Sequence, residues 1–146
     1  MDRRRFLKNT AAFSAALSVP LAFSNCRPTS NIPSDLTDLS AVDLSALIKK
    51  KRAGCVEVMQ AYLNRIHQYN PVYNAIVSMV DDEALFHQAR LADQALARGE
   101  YWGWMHGMPH AIKDLAPVAG LRHTDGSPMF ADRIAEEDGA LVAKIR

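Results

Sequence analysis

A lysine inside a short apolar run is the feature of this sequence with the clearest chemical potential. Lys113 lies in the run from His110 to Leu115, whose composition predicts a β-strand. Because a charged ammonium group is costly to bury, burial would favour the neutral amine, which is the form that a general base needs. A lysine at the end of a strand can also reach solvent or pair with the neighbouring Asp114. The residues of this run alone leave both interpretations open.

Two nearby histidines have a spacing that binds metal ions when it falls on a helix. His106 and His110 are four residues apart, but Gly107 and Pro109 between them oppose a helix. No adjacent glutamate or cysteine completes a set of ligands. We therefore predict no metal site, and we predict no cofactor.

Four further side chains could carry chemistry but fit structural roles better. Ser127 could form a serine–lysine dyad with Lys113, although its glycine and proline neighbours do not form a nucleophile elbow. Cys55 falls at a predicted helix start, which would lower the pKa of its thiol, yet without a paired histidine we expect it to replace a serine-type cap. Trp102 and Trp104 could line a substrate entrance, but tryptophans in a buried loop more often anchor a core.

Capping signals and apolar periodicity predict two helices at the start of the body of the chain. The first helix begins at Ser40, which forms a capping-box-like pair with Asp43, and Gly54 closes it. The second helix runs from about Val56 to His67. It stops at Asn70-Pro71, because the residue before a proline avoids the helical conformation.

Strand and helix signals alternate through the remainder. The apolar, β-branched run Ala75–Val80 favours a strand. The acidic residues Asp81–Glu83 begin a helix that Gly99 ends. The strand run that holds Lys113 follows, and a last helix begins near Asp138.

This alternation predicts an α/β fold in which helices flank a sheet. Only two or three strands are predicted, and a sheet that small cannot cover these helices. We therefore expect residues 38–146 to be the N-terminal portion of a larger domain.

Charge is balanced overall and concentrated at the N-terminus. The 146 residues include 17 Lys plus Arg and 16 Asp plus Glu, a formal charge of +1. Four of the basic residues and one of the acidic ones lie in residues 1–24, so the remainder carries −2. This balance argues against a dedicated nucleic-acid binder. The two cysteines cannot make a disulfide-dense scaffold.

Residues 1–24 are predicted to be an export signal. The segment Arg3–Lys8 resembles the twin-arginine pattern Arg-Arg-x-Phe-Leu-Lys. The uncharged run Asn9–Phe23 has 15 residues, fewer than the about 20 that span a bilayer. Ala22-Phe23-Ser24 places small residues at the spacing that a signal peptidase recognises. We expect the twin-arginine export machinery to carry the folded protein to the periplasm.

A linker is predicted at residues 25–37, and it includes a candidate lipid anchor. Cys26 follows the apolar run, where a lipoprotein cysteine would stand. The preceding Phe23-Ser24-Asn25 is a poor lipobox, because Asn25 is larger than the usual glycine or alanine. Lipidation of Cys26 and simple cleavage after Ser24 both remain open.

The segment Met105–Leu115 resembles the amidase signature family, whose members carry Leu-His-Gly-(Ile/Val)-Pro-x-x-(Ile/Val)-Lys-Asp. The predicted helix pair and the alanine-rich helix that ends at Gly99 resemble the elements preceding that motif. Downstream, Gly120–Ser127 resembles Gly-(Leu/Ile)-x-Thr-Thr-x-Gly-Ser. The resemblance runs in order from about Asp38 to Arg146.

This resemblance implies an α/β/α fold with a mixed sheet and hydrolysis of carbon–nitrogen amide bonds in a small-molecule substrate. The family uses a Ser–cis-Ser–Lys triad, and Lys113 falls on its lysine position, where it would act as the catalytic base. Met105 replaces the usual leucine, while His123 and Asp125 stand where threonine and alanine are common.

The two serines of the triad lie, in the family, in a glycine- and serine-rich segment downstream of the lysine. This sequence contains no such segment, so we expect this polypeptide by itself not to hydrolyse amides. Two alternatives stay open. One is a non-catalytic remnant or binding module derived from an amidase. The other is the amidotransferase subunit that amidates charged tRNA, against which the predicted export signal argues.

Overall fold

The structure is a computed structural model, and it describes residues 35–146. The predicted export signal, Cys26 and most of the predicted linker lie outside the described residues. The described helices are α1 (Ala41–Lys49), α2 (Cys55–Tyr73), α3 (Asp82–Ala97) and α4 (Val142–Ile145), with 3-10 helices at Leu36–Asp38 and Pro128–Phe130.

The start of α1 is where the sequence predicts it, and its end is not. Ser40 caps the helix: its Oγ accepts the N–H of Asp43 at 3.2 Å and donates to the Asp43 carboxylate at 2.6 Å. The helix closes at Lys50 and Lys51, and Lys51 adopts a left-handed φ of 55°. Gly54 does not close α1 as predicted, because it serves as the N-cap of α2.

The second helix continues past the proline that was predicted to stop it. Pro71 lies in the last turn of α2, where a missing N–H removes only one helical hydrogen bond. The helix ends at Asn74, which has a left-handed φ of 46° and donates its N–H to Asn70 O at 2.7 Å. The Asn70 amide then exchanges two 2.9 Å hydrogen bonds with the backbone of Ile76, which fixes the exit of the chain.

Both ends of α3 confirm the prediction. The Asp81 carboxylate accepts the N–H groups of Glu83 at 3.1 Å and Ala84 at 3.3 Å. At the other end Gly99 has a φ of +87°, and Glu100 donates its N–H to Ala95 O at 2.9 Å. These bonds form the left-handed helix end that glycine favours.

The three long helices enclose a small core. Alanines on the inner face of α3 let it approach α2 closely. Asp93 on α3 caps α2 from outside, since its carboxylate accepts the N–H of Cys55 at 2.7 Å and of Val56 at 3.1 Å. The buried cluster consists of Leu36, Leu44, Ile48, Ala53, Cys55, Val58, Ala89, Ala92 and Leu96.

The predicted strands are absent from the residues that the structure describes. Ala75–Val80 is an irregular connector, and the run that holds Lys113 is irregular up to a turn that begins at Asp114. Over residues 35–146 the β-pairing is a single antiparallel bridge between Arg122 and Ile134. The strand predictions are wrong for this part of the chain, and the mixed sheet is not confirmed. A strand needs a neighbouring strand to pair with, and the described residues supply none to these runs.

The last helix begins later than predicted. Residues near Asp138 are not helical; the Asp138 carboxylate accepts the N–H of Ala119 at 2.8 Å and pairs with Arg146. The short α4 follows at Val142. Among the described helices, none has the length and apolar character required to cross a lipid bilayer.

The loop between α3 and Lys113 is docked on the helices by two neighbouring residues. His106 is 4% exposed; its Nε2 donates to Ala92 O at 3.0 Å, and its Nδ1 accepts the N–H of Trp102 at 3.2 Å. Gly107 has a φ of +66°, and a Cβ at this position would lie 2.2 Å from the Sγ of Cys55. Glycine is therefore required at this position both by conformation and by space.

We expect Gly107→Ala to lower the free energy of unfolding by about 3 kcal/mol. About 1–2 kcal/mol comes from the left-handed conformation and the rest from overpacking against Cys55. Gly99→Ala is the matched control, because Gly99 is also left-handed but a Cβ there would meet no other atom within 4 Å. That variant should lose only about 1–2 kcal/mol.

Urea unfolding followed by circular dichroism measures both losses. If Gly107→Ala does not fold, adding Cys55→Ala should restore folding in part by removing the sulfur. Equal losses at the two glycines would contradict the close contact.

Candidate functional site

Lys113 is exposed in this structure. Its carbonyl accepts the N–H of Ala116 at 2.9 Å, which closes a turn directly after the motif. Within residues 35–146 its ammonium group makes no hydrogen bond or ion pair, so the pairing with Asp114 that the sequence left open is not formed. The described residues therefore do not bury the amine, and they leave it accessible.

Asp114 instead joins the two halves of the motif. Its carboxylate accepts the N–H of Thr124 at 2.8 Å, the hydroxyl of Thr124, and the N–H of Gly126 at 3.4 Å. The hydroxyl and then the amide of Thr124 are the main groups that hold the pKa of the Asp114 carboxyl below its ordinary value. The residue next to Lys113 is thereby fixed to a turn ten positions later.

Backbone hydrogen bonds hold that turn in place. Gly120 donates to Ala135 O at 2.9 Å, Ala135 donates to Leu121 O at 2.9 Å, and His123 donates to the carbonyl of Arg133 at 3.0 Å. These bonds close residues 120–135 into a compact loop. The backbone of this loop therefore holds Thr124 in the position where it bonds Asp114.

Two of the three departures from the family pattern, His123 and Asp125, lie together with Arg133. His123 Nε2 lies 3.1 Å from an Asp125 carboxylate oxygen, without the geometry of a hydrogen bond. Arg133 contacts the Asp125 carboxylate and donates its Nε–H to His123 O at 2.7 Å. The Arg133 guanidinium is the main cause of a lowered pKa at Asp125. The Asp125 carboxylate thus pairs with Arg133, and neither His123 nor Asp125 forms an ion pair with Lys113.

Ser127 is a turn residue, as its sequence context suggests. Its Oγ accepts the N–H of Met129 at 3.3 Å and caps the 3-10 helix Pro128–Phe130. Both ring nitrogens of His106 are occupied by hydrogen bonds to backbone groups. Among the described residues no group of three His, Cys, Asp or Glu side chains is placed to hold a metal ion.

Two expectations about other side chains are wrong. Burial, followed by the Asp93 carboxylate, raises the pKa of the Cys55 thiol to about 12, opposite to the lowering expected at a helix start. Asp93 occupies the N–H groups that would have stabilised a thiolate. Trp102 and Trp104 are 55% and 61% exposed, so they do not anchor the core.

Three contacts that shape the site were missed by the sequence reasoning. They are the Asp114–Thr124 link, the Asp93 cap on α2, and the bond from Ser45 Oγ to Trp104 O at 2.5 Å. Asp114 carried a usable signal, because it directly follows Lys113 in the motif. Asp93 and Ser45 carried none, since each bonds a residue distant in sequence.

A surface groove of about 440 Å³ lies along the C-terminal half of α2, lined by residues that include Arg65, Tyr69 and Tyr73. Lys113 and Asp114 do not line it. The groove is therefore not part of the site around Lys113.

Comparison with a family model and with individual proteins identifies relatives of this chain. The family model described as Amidase matches residues 57–146. The chain is 36% identical over 112 residues to a glutamyl-tRNA(Gln) amidotransferase subunit of Salinispora tropica, covering 77% of this chain and 23% of that protein. It is 36% identical over 107 residues to indoleacetamide hydrolase of Bradyrhizobium diazoefficiens, covering 73% and 20%.

Human fatty-acid amide hydrolase 2 is a further relative, 32% identical over 116 residues, which cover 74% of this chain and 21% of that protein. The chain thus spans between 20% and 23% of the length of these three curated relatives. The residues that carry the motif lie inside the range that the family model matches.

The link from Asp114 to Thr124 predicts a pH dependence. Because the pKa of Asp114 is lowered in the folded chain, the stability that it contributes is present above its ordinary value of 3.8. That contribution is lost as the pH falls through the lower, folded value. The amide NMR signal of Thr124 should therefore titrate with a midpoint below 3.8.

Two variants test the cause of that shift. Thr124→Val removes the hydroxyl and should move the Asp114 carboxyl 13C midpoint up toward 3.8. Ser127→Ala should leave it unchanged, because the Ser127 hydroxyl bonds Met129. In the parent protein, an Asp114 midpoint at or above 3.8 would contradict the link between Asp114 and Thr124.

Proposed function

The chain belongs to the amidase family, and from that premise we propose that it serves the hydrolysis of carbon–nitrogen amide bonds in a small-molecule substrate. The observation that carries this proposal is the ordered motif from His106 to Ser127, which lies inside the region matched by the family model. Two of the relatives reported above are named as amide hydrolases.

In this proposal Lys113 is the catalytic base of a Ser–cis-Ser–Lys triad. The neutral amine takes a proton through a bridging serine from the nucleophilic serine, which attacks the amide carbonyl. As the tetrahedral intermediate collapses to an acyl-enzyme, the protonated lysine returns its proton through the bridging serine to the leaving amine, and water then hydrolyses the ester. Backbone N–H groups stabilise the oxyanion.

The proposal assigns the two serines and the oxyanion hole to a glycine- and serine-rich segment that this sequence does not contain. By itself, then, the polypeptide of 146 residues is proposed to be inactive. The family resemblance also implies a mixed sheet. We propose that elements of that sheet cover the Lys113 run, which would desolvate the exposed amine.

A second candidate function is that of an amidotransferase subunit. It is favoured by the similarity to the glutamyl-tRNA(Gln) amidotransferase protein of Salinispora tropica. It conflicts with the proposed export, because chemistry on charged tRNA takes place in the cytoplasm. A non-catalytic binding module is a third candidate, favoured by the exposed Trp102 and Trp104. The location of the protein separates the second candidate from the first.

For the N-terminus we propose the organisation suggested by the sequence. Residues 1–24 would direct export to the periplasm through the twin-arginine machinery, and residues 25–37 would form a linker. Cys26 is the proposed site of a lipid anchor. Residues 38–146 would then be the N-terminal portion of the amidase domain.

The catalytic role of Lys113 is tested by substitution in an active polypeptide. Sequencing past the codon for Arg146 establishes whether a glycine- and serine-rich segment follows. In a polypeptide that carries one, Lys113→Ala should lower kcat for an aryl amide by at least about 100-fold, because it removes the base. The matched control Lys144→Ala removes an exposed lysine and should turn over like the parent.

Turnover by Lys113→Ala at the parent rate would refute the assignment. An immediate stop codon after Arg146 would instead favour the binding module.

Processing of the N-terminus is tested by mass spectrometry of the protein from cell fractions. We expect a periplasmic or membrane-bound product that starts after Ser24 or at a diacylated Cys26. Arg3→Lys/Arg4→Lys/Arg5→Lys should block export, because the twin-arginine pattern is lost while the charge is kept. Cytoplasmic protein with an intact N-terminus would contradict the proposal and favour the amidotransferase function.

A further inference from the structure

Four consecutive basic residues form the last residue of α1 and the turn that follows it. We call Lys49–Arg52 the basic turn; all four residues are exposed. The three lysines of the basic turn place positive charge on one exposed part of a body that carries a net negative charge.

Both tryptophans of the chain are exposed on one loop. We call Tyr101–Trp104 the tryptophan loop. Its backbone is fixed, because the Trp102 N–H is held by His106 and the Trp104 carbonyl by Ser45. A rigid loop that presents two large aromatic rings to solvent is typical of an interaction surface.

The basic turn and the tryptophan loop adjoin one another through Tyr101. The ammonium group of Lys49 lies 5.0 Å from the centroid of the Tyr101 ring. The Tyr101 hydroxyl is 3.4 Å from Ser45 Oγ, the same atom that donates to the Trp104 carbonyl. Ser45 and Lys49 are one helical turn apart on α1, so basic and aromatic groups share one face.

We propose that the basic turn and the tryptophan loop together bind an anionic lipid membrane. Tryptophan rings favour the boundary between headgroups and acyl chains. Each basic residue near an anionic surface contributes about 1 kcal/mol of attraction. The inference does not depend on the catalytic role of Lys113.

The residues that precede Asp35 in the chain favour a lipid surface over a nucleic acid as the binding partner. Cys26, the proposed lipid anchor, precedes Asp35 by nine positions, which span at most about 30 Å even when fully extended. A lipid anchor at Cys26 would therefore keep the folded residues within that chain length of a membrane surface.

Tryptophan fluorescence of the full chain tests this surface directly, because Trp102 and Trp104 are its only tryptophans. We expect a blue shift on adding vesicles that contain roughly one third phosphatidylglycerol, and quenching when brominated lipids are included. Pure phosphatidylcholine should give little response, and about 0.5 M salt should weaken binding. Lys50→Gln/Lys51→Gln should weaken binding about 30-fold, which corresponds to about 1 kcal/mol for each lysine.

A charge-matched variant is the control. Arg122→Gln/Lys144→Gln removes two exposed basic residues elsewhere and should bind like the parent. Equal loss in both double variants would overturn the proposal. Flotation with vesicles without a change in emission would place the contact in the N-terminal segment and also overturn it. So would an emission change with RNA but none with vesicles.

Discussion

The position of the motif depends on a contact that only glycine permits. Gly107 packs its backbone against Cys55, where a Cβ would lie 2.2 Å from the sulfur, and it does so with a φ of +66°. The neighbouring His106 bonds α3 through Ala92 and the loop through Trp102. Since these two residues fix where the chain leaves the helices, they also fix where the segment that carries Lys113 begins.

Local signals predicted the starts of α1 and α3 and the end of α3. Ser40 and Asp81 cap their helices through bonds to N–H groups two or three residues ahead, and Gly99 ends α3 through its own conformation. All of these interactions lie within a few residues, so the sequence carries them directly. The continuation of α2 past Pro71 was missed because a proline in the last turn removes only one helical hydrogen bond.

Features that depend on residues distant in the sequence could not be predicted from local signals. A strand exists only when another strand accepts its hydrogen bonds, and the described residues offer none to the Lys113 run. The pKa of Cys55 is raised because burial and Asp93, which belongs to another helix, outweigh the helix start. Asp114 was visible in the motif, but its bond to Thr124 required the fold of the following loop.

Lys113 is held next to the Asp114 link yet stands exposed, so its proposed role as a base needs groups beyond those described. The most direct measurement is chemical rescue of Lys113→Ala in an active, longer polypeptide. Added small primary amines should restore amide hydrolysis in proportion to their concentration, with the more basic amines acting faster. A variant that hydrolyses amides at the parent rate without added amine, and does not respond to it, would contradict the assignment of Lys113 as the base.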